Sequence, residues 1–68
     1  MYLKIIVNGT DLEIPQPYTI ETFLKSLNIS LERTAIAYNG EVVPKDKYSQ
    51  IIIDELGNIE IIQLMAGG

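Results

Sequence analysis

Residues 59 to 68 read Ile59-Glu60-Ile61-Ile62-Gln63-Leu64-Met65-Ala66-Gly67-Gly68, and the first six of them decide the fold. Ile59 and Ile61 alternate with Glu60 and Ile62, the two-residue period of a β-strand with one face turned to a core. Such a strand needs partners, and its choice of partners sets the topology. The four residues after it have another character. Glycine loses the most freedom on ordering and packs nothing, so Gly67-Gly68 contributes nothing to a fold. Frayed, small-residue termini are common, and chance gives a terminal Gly-Gly with odds of about one in 200 at average glycine usage. A thin, bendable backbone that threads a narrow channel and delivers the Gly68 carboxyl to another protein accounts for the pair more directly.

Upstream of this strand, residues 54–58 read as a turn built around Gly57-Asn58. Ile51-Ile52-Ile53 fits either a brief edge strand or a buried crossing, and residues 45–50 are polar, with room for one irregular helical turn. Thr34 to Tyr38 is a strand, Asn39-Gly40 a hairpin turn, and Glu41 to Val43 a short strand closed by Pro44. Residues 29–33 connect it to what precedes. At the other end Leu3, Ile5 and Val7 alternate with Tyr2, Lys4 and Ile6. Asn8-Gly9 then supplies the two left-handed residues of a type I′ turn, and Leu12 and Ile14 alternate with Asp11 and Glu13 on the return. Pro15 and Pro17 end that strand because neither can donate to a ladder. Ile20, Phe23, Leu24 and Leu27 follow helical spacing. Thr19 is the N-cap, Glu21 and Lys25 suit the helix dipole, and Asn28 is the stop. About ten helical residues are too few to stand alone, so the helix must pack on the sheet.

The order is β-β-α-β-β-β. Placing the first and last strands side by side and parallel in the sheet centre protects both from solvent, with the helix across one face. The expected fold is α+β, a ubiquitin-like β-grasp with a mixed sheet and one main helix. Residues 1–64 form the domain and 65–68 a flexible diglycine tail on a rigid base.

Sixty-eight residues make one domain, and 47% hydrophobic content is enough for a small core. The chain has no Cys and no His. It therefore lacks a disulfide framework, a thiolate metal site, and the commonest general base. No metal site and no enzyme activity of its own are expected. A net charge of −4 without a basic patch argues against nucleic acid and against an anionic membrane surface. No apolar run is long enough to span a bilayer. Met1 opens directly into a strand pattern rather than a signal peptide, so a cytoplasmic location is expected.

Three stretches resemble the ThiS family, the sulfur carriers of bacterial thiamine biosynthesis. Residues 34–45, Thr-Ala-Ile-Ala-Tyr-Asn-Gly-Glu-Val-Val-Pro-Lys, are similar to the family's stretch of alternating Ala and Val followed by Asn, an acidic residue, Val-Pro and a basic residue. Residues 57–62, Gly-Asn-Ile-Glu-Ile-Ile, resemble its Gly-Asp-x-Ile-Glu-Ile entry to the last strand. Gly67-Gly68 matches its reactive end. Tyr48 is the nearest counterpart of the family's Trp, and Asn58 stands where Asp is usual.

The resemblance implies a protein co-substrate rather than an enzyme. A ubiquitin-activating-type adenylyltransferase, using ATP and magnesium that this chain does not bind, would adenylate Gly68. Sulfur from a donor protein would then leave a C-terminal thiocarboxylate for a thiazole synthase. Gly68 is the chemical site, and Gly67 removes a Cβ that would strike the channel wall. Ala37, Ile62 and Leu64 are expected outward as an apolar docking patch, with Met65 and Ala66 continuing it toward the tail. The alternatives are a carrier like the molybdopterin synthase small subunit, or a ubiquitin-like modifier conjugated to lysines.

Overall fold

The computed structural model describes residues 2–63. Leu64, Met65, Ala66, Gly67 and Gly68, and with them the boundary expected after residue 64, lie outside the described residues. The elements are β1 (Leu3–Val7), β2 (Thr10–Ile14), α1 (Ile20–Ser26), β3 (Thr34–Tyr38), β4 (Glu41–Val43), a 3-10 turn (Lys45–Lys47) and β5 (Asn58–Gln63). The sheet order is β2-β1-β5-β3-β4. β5 lies parallel to β1, with Ile6 opposite Asn58 and Val7 opposite Ile59. It lies antiparallel to β3 from Thr34–Gln63 to Tyr38–Ile59. This is the mixed sheet with one helix across it that defines a β-grasp.

Every strand and the helix contribute to one core. Ile5, Ile14, Ile36, Val43 and Ile59 reach it from the five strands, and Ile20, Phe23 and Leu24 from the helix. Tyr48 and Ile53 close it from the β4–β5 connection. Burying each such isoleucine or leucine stabilises the fold by about 1.5–3 kcal/mol.

The helix is short, but its ends are well satisfied. Among its otherwise free N–H groups, Ile20 donates to the Ile51 carbonyl and Glu21 to that of Tyr48. Thr22 donates to the Thr19 side chain at 3.1 Å, the expected N-cap. At the other end Asn28 takes φ +59°, its N–H bonding Lys25 and that of Ile29 bonding Leu24. Those two bonds form a Schellman motif with asparagine in the left-handed position. The stop at Asn28 therefore stands, but the helix has seven residues rather than ten. Leu27 becomes its C-cap and is 43% exposed, not part of the buried stripe.

Residues 51–53 are a crossing rather than a strand. Ile52 makes one bridge to Thr19, while Ile53 donates to Tyr18 and is fully buried. The turn before β5 also differs from expectation. Gly57 N–H bonds the Asp54 carbonyl, so the turn runs from Asp54 to Gly57, and Asn58 already belongs to β5. Its left-handed residue is Leu56 at φ +63°. Gly57 serves close approach instead: a Cβ there would lie 2.8 Å from the Tyr38 ring and 2.9 Å from the Asp54 carbonyl. The Tyr38 hydroxyl accepts a hydrogen bond from Asp54 N–H at 2.9 Å, which holds the ring over the glycine.

Two outcomes follow. Gly57→Ala should cost about 1–3 kcal/mol through overpacking, read as a lowered midpoint in urea unfolding. Burial pushes the Tyr48 phenol above its usual pKa of 10.0, opposed in part by an Ile36 backbone hydrogen bond. The folded state thus favours the neutral phenol, and its contribution is complete below pH 10. It is lost above pH 10, where the unfolded chain releases the proton first. Tyr48→Phe should flatten that alkaline fall in a series of thermal melts.

Candidate functional site

The candidate site is the end of β5 that leads to Gly68, together with the sheet face opposite the helix. Alternation along β5 is as expected from the sequence. Ile59 is fully buried and Ile61 packs against the core. Glu60 and Ile62 are exposed on the other face, Ile62 by 53%.

Ile62 and Ala37 do share that outward face, but they are not directly opposite one another. Ile62 pairs with Ala35, and Ala37 pairs with Glu60 on one side and Val42 on the other. The apolar surface is therefore a band in which the short side chains Ala35 and Ala37, both half-buried, run between Ile62 and Val42. Val42 is 79% exposed, the most open large apolar residue among those described. Glu60 interrupts the band beside Ala37. Ala35 and Val42 were legible by the same alternation that exposed Ala37, since Ile36 and Val43 point into the core.

Two asparagines that the sequence marks only as turn residues also belong here. Asn8 and Asn39 take φ +50° and +51°, each followed by a left-handed glycine, as type I′ turns require. Each side chain then grips β5. Asn39 donates its N–H to the Asn58 carbonyl at 2.7 Å and accepts from Asn58 N–H through Oδ1 at 3.0 Å, at the start of the strand. Asn8 donates its N–H to the Ile59 carbonyl at 2.9 Å. Its Oδ1 accepts from Ile61 N–H at 2.8 Å, and its Nδ2 donates to the Ile61 carbonyl at 3.4 Å.

Among the described residues there is no cluster of three acidic side chains able to hold a metal ion. No helix among them is long and apolar enough to cross a membrane. The chain has no Cys and no His.

Comparison with known proteins agrees with this geometry. The model of the ThiS family matches residues 3–68. The chain is 26% identical over 66 residues to the sulfur carrier protein ThiS of Escherichia coli (strain K12), covering 97% of this chain and 100% of that one. It is 29% identical over 66 residues to a thiazole synthase of Paramagnetospirillum magneticum, of which it spans only 20%. The crystal structure of thiamine biosynthesis protein ThiS from Geobacter metallireducens superposes with a TM-score of 0.85 at 20% identity, covering 97% of this chain and 100% of that one. At that identity the likeness speaks for the fold. The family match over residues 3–68 speaks for the lineage, and the chain belongs to the ThiS family of sulfur carriers for thiamine biosynthesis.

Proposed function

We propose that this chain carries sulfur as a thiocarboxylate on Gly68 and gives it up for thiazole formation. The observation that carries the reading is the family match extending through Gly67 and Gly68, on a chain that has no cysteine thiol of its own. The similarity to a segment of a thiazole synthase supports the choice of acceptor.

The chemistry follows from the terminal carboxyl. Its pKa of about 3.3–3.7 makes it an anion at neutral pH, which resists nucleophiles. A ubiquitin-activating-type adenylyltransferase overcomes this by using ATP and magnesium. The Gly68 carboxylate attacks the α-phosphorus, pyrophosphate leaves, and an acyl-adenylate forms. A hydrosulfide equivalent from a sulfur donor protein attacks the acyl carbon and expels AMP, leaving the thiocarboxylate. That group is soft and nucleophilic: its sulfur attacks an electrophilic carbon held by the thiazole synthase, and cleavage of the acyl–sulfur bond by an oxygen nucleophile leaves the sulfur there and returns the Gly68 carboxylate. The carrier's part is to present Gly68 through a channel that Gly67 keeps narrow, while the band of Ala35, Ala37, Val42 and Ile62 meets the partner.

The direct test is to incubate the chain with its adenylyltransferase, ATP and a sulfur source, then treat it with a thiol-selective alkylating reagent. Label confined to Gly68 is the expected result. A lysine conjugate in its place would assign the chain to the modifiers, and unlabelled chain would leave an interaction module. Gly67→Val should abolish labelling while the circular dichroism spectrum stays unchanged. Ile62→Asp places a charge on the docking band at a solvent-exposed position, so the fold should survive. The adenylyltransferase should then need about tenfold more carrier for half-maximal rate, as expected when a buried interface contact worth roughly 1–2 kcal/mol is lost.

A further inference from the structure

The two edges of β5 are supported unequally just where the strand leads to the C-terminus. On the β3 edge the ladder continues to Gln63, opposite Thr34. On the β1 edge it ends at Val7 opposite Ile59, because the chain reverses through Asn8-Gly9. Backbone bonds on this edge step from Ile6 N–H on the Gly57 carbonyl to Asn8 N–H on the Ile59 carbonyl. In a parallel ladder the next acceptor, for Ile61 N–H, would be the Asn8 carbonyl. The turn redirects that carbonyl, and the Asn8 side-chain amide takes its place, bonding both the N–H and the C=O of Ile61. One side chain thus extends the parallel edge by one step, to within two residues of Gln63 and seven of Gly68.

We propose that Asn8 is a positioning residue for the C-terminus: its amide fixes the direction in which β5 leaves the sheet, and so the fraction of molecules whose Gly68 is aimed into the adenylyltransferase. The inference rests on the activation of Gly68 proposed above and adds to it a group remote in sequence from the tail. Asn8 touches no reacting atom, so it acts on the population of competent orientations. A lower competent fraction raises the concentration of carrier needed without changing the step that follows.

A second turn of the same type supplies the control. Asn39→Gly removes an equivalent amide bond to β5, but at Asn58, the end remote from Gly68. Asn8→Gly and Asn39→Gly both keep the left-handed turn, so each removes the side-chain grip while leaving the hairpin possible. Asn8→Asp keeps the Oδ1 acceptor for Ile61 N–H.

The experiment measures carrier-dependent ATP–pyrophosphate exchange by the adenylyltransferase, together with amide hydrogen exchange at Ile61. Asn8→Gly should raise the KM for carrier roughly 3- to 10-fold, the weight of one exposed hydrogen bond, with kcat little changed. It should also accelerate exchange at Ile61. Asn8→Asp should restore most of the KM, and Asn39→Gly should leave KM near that of the unsubstituted chain. Equal KM values for Asn8→Gly and Asn39→Gly would show a generic stability effect and overturn the proposal. So would an Ile61 amide that exchanges no faster in Asn8→Gly. If the unsubstituted chain supports no pyrophosphate exchange at all, the activation of Gly68 is what fails, and Ile61 exchange still decides whether Asn8 holds the strand.

Discussion

Strand β5 is hydrogen-bonded along both edges, parallel to β1 on one side and antiparallel to β3 on the other, and the rest of the domain is arranged to make that possible. A parallel neighbour cannot be reached through a tight turn. The chain therefore travels from β1 through a hairpin, a helix, a second hairpin and a crossing before it returns beside its start. That excursion carries the helix onto one face of the sheet, where Ile20, Phe23 and Leu24 meet Ile5, Ile36 and Ile59. Ile59 and Ile61 face the core only because the register with β3 is fixed. A slip of one residue would turn Glu60 and Ile62 inward.

The same arrangement leaves β2 and β4 as the sheet's two edges, and each is blunted. β4 has only three residues and meets Pro44, while β2 presents Asp11 and Glu13 and runs into Pro15. Short, charged or proline-terminated edges discourage pairing with other chains. On the face opposite the helix, the band of Ala35, Ala37, Val42 and Ile62 lies on and beside the strand that leads to Gly68.

Much of this was legible from side-chain period and turn chemistry. Alternation placed Ile5, Ile36 and Ile59 inside and Ile62 outside, and Thr19 and Asn28 bounded the helix. Where the reading fell short, one residue type was serving a purpose that local pattern does not report. Gly57 was readable only as the centre of a turn with Asn58, but Tyr38, nineteen positions earlier, is what requires a glycine there, and Leu56 takes the positive φ. Leu27 fitted the helical stripe, yet the Schellman bonds at Asn28 and Ile29 end the helix before its side chain reaches the core. Asn8 and Asn39 were readable as turn formers. Their grip on β5 depends on which strand lies next to each hairpin, a fact of topology. A clue was nevertheless present, because both turns use asparagine, whose amide can imitate a peptide group, where glycine or aspartate would also form the turn.

The Asn-Gly turns also set a chemical clock on the molecule. Asparagine followed by glycine is the pairing in which the next backbone nitrogen can most readily attack the side-chain amide, since no Cβ stands in the way, and asparagine is among the residues depleted from heat-adapted proteins. Ring closure expels ammonia, and reopening yields aspartate or isoaspartate. The aspartate product at position 8 keeps an oxygen for Ile61, whereas the isoaspartate product adds a methylene to the main chain and spoils the turn. At position 8 that closure must break the bonds the amide makes to Ile61, since the expelled ammonia is the Nδ2 that donates to the Ile61 carbonyl. The hydrogen bonds that steady the central strand thus also slow the ageing of the residues that make them.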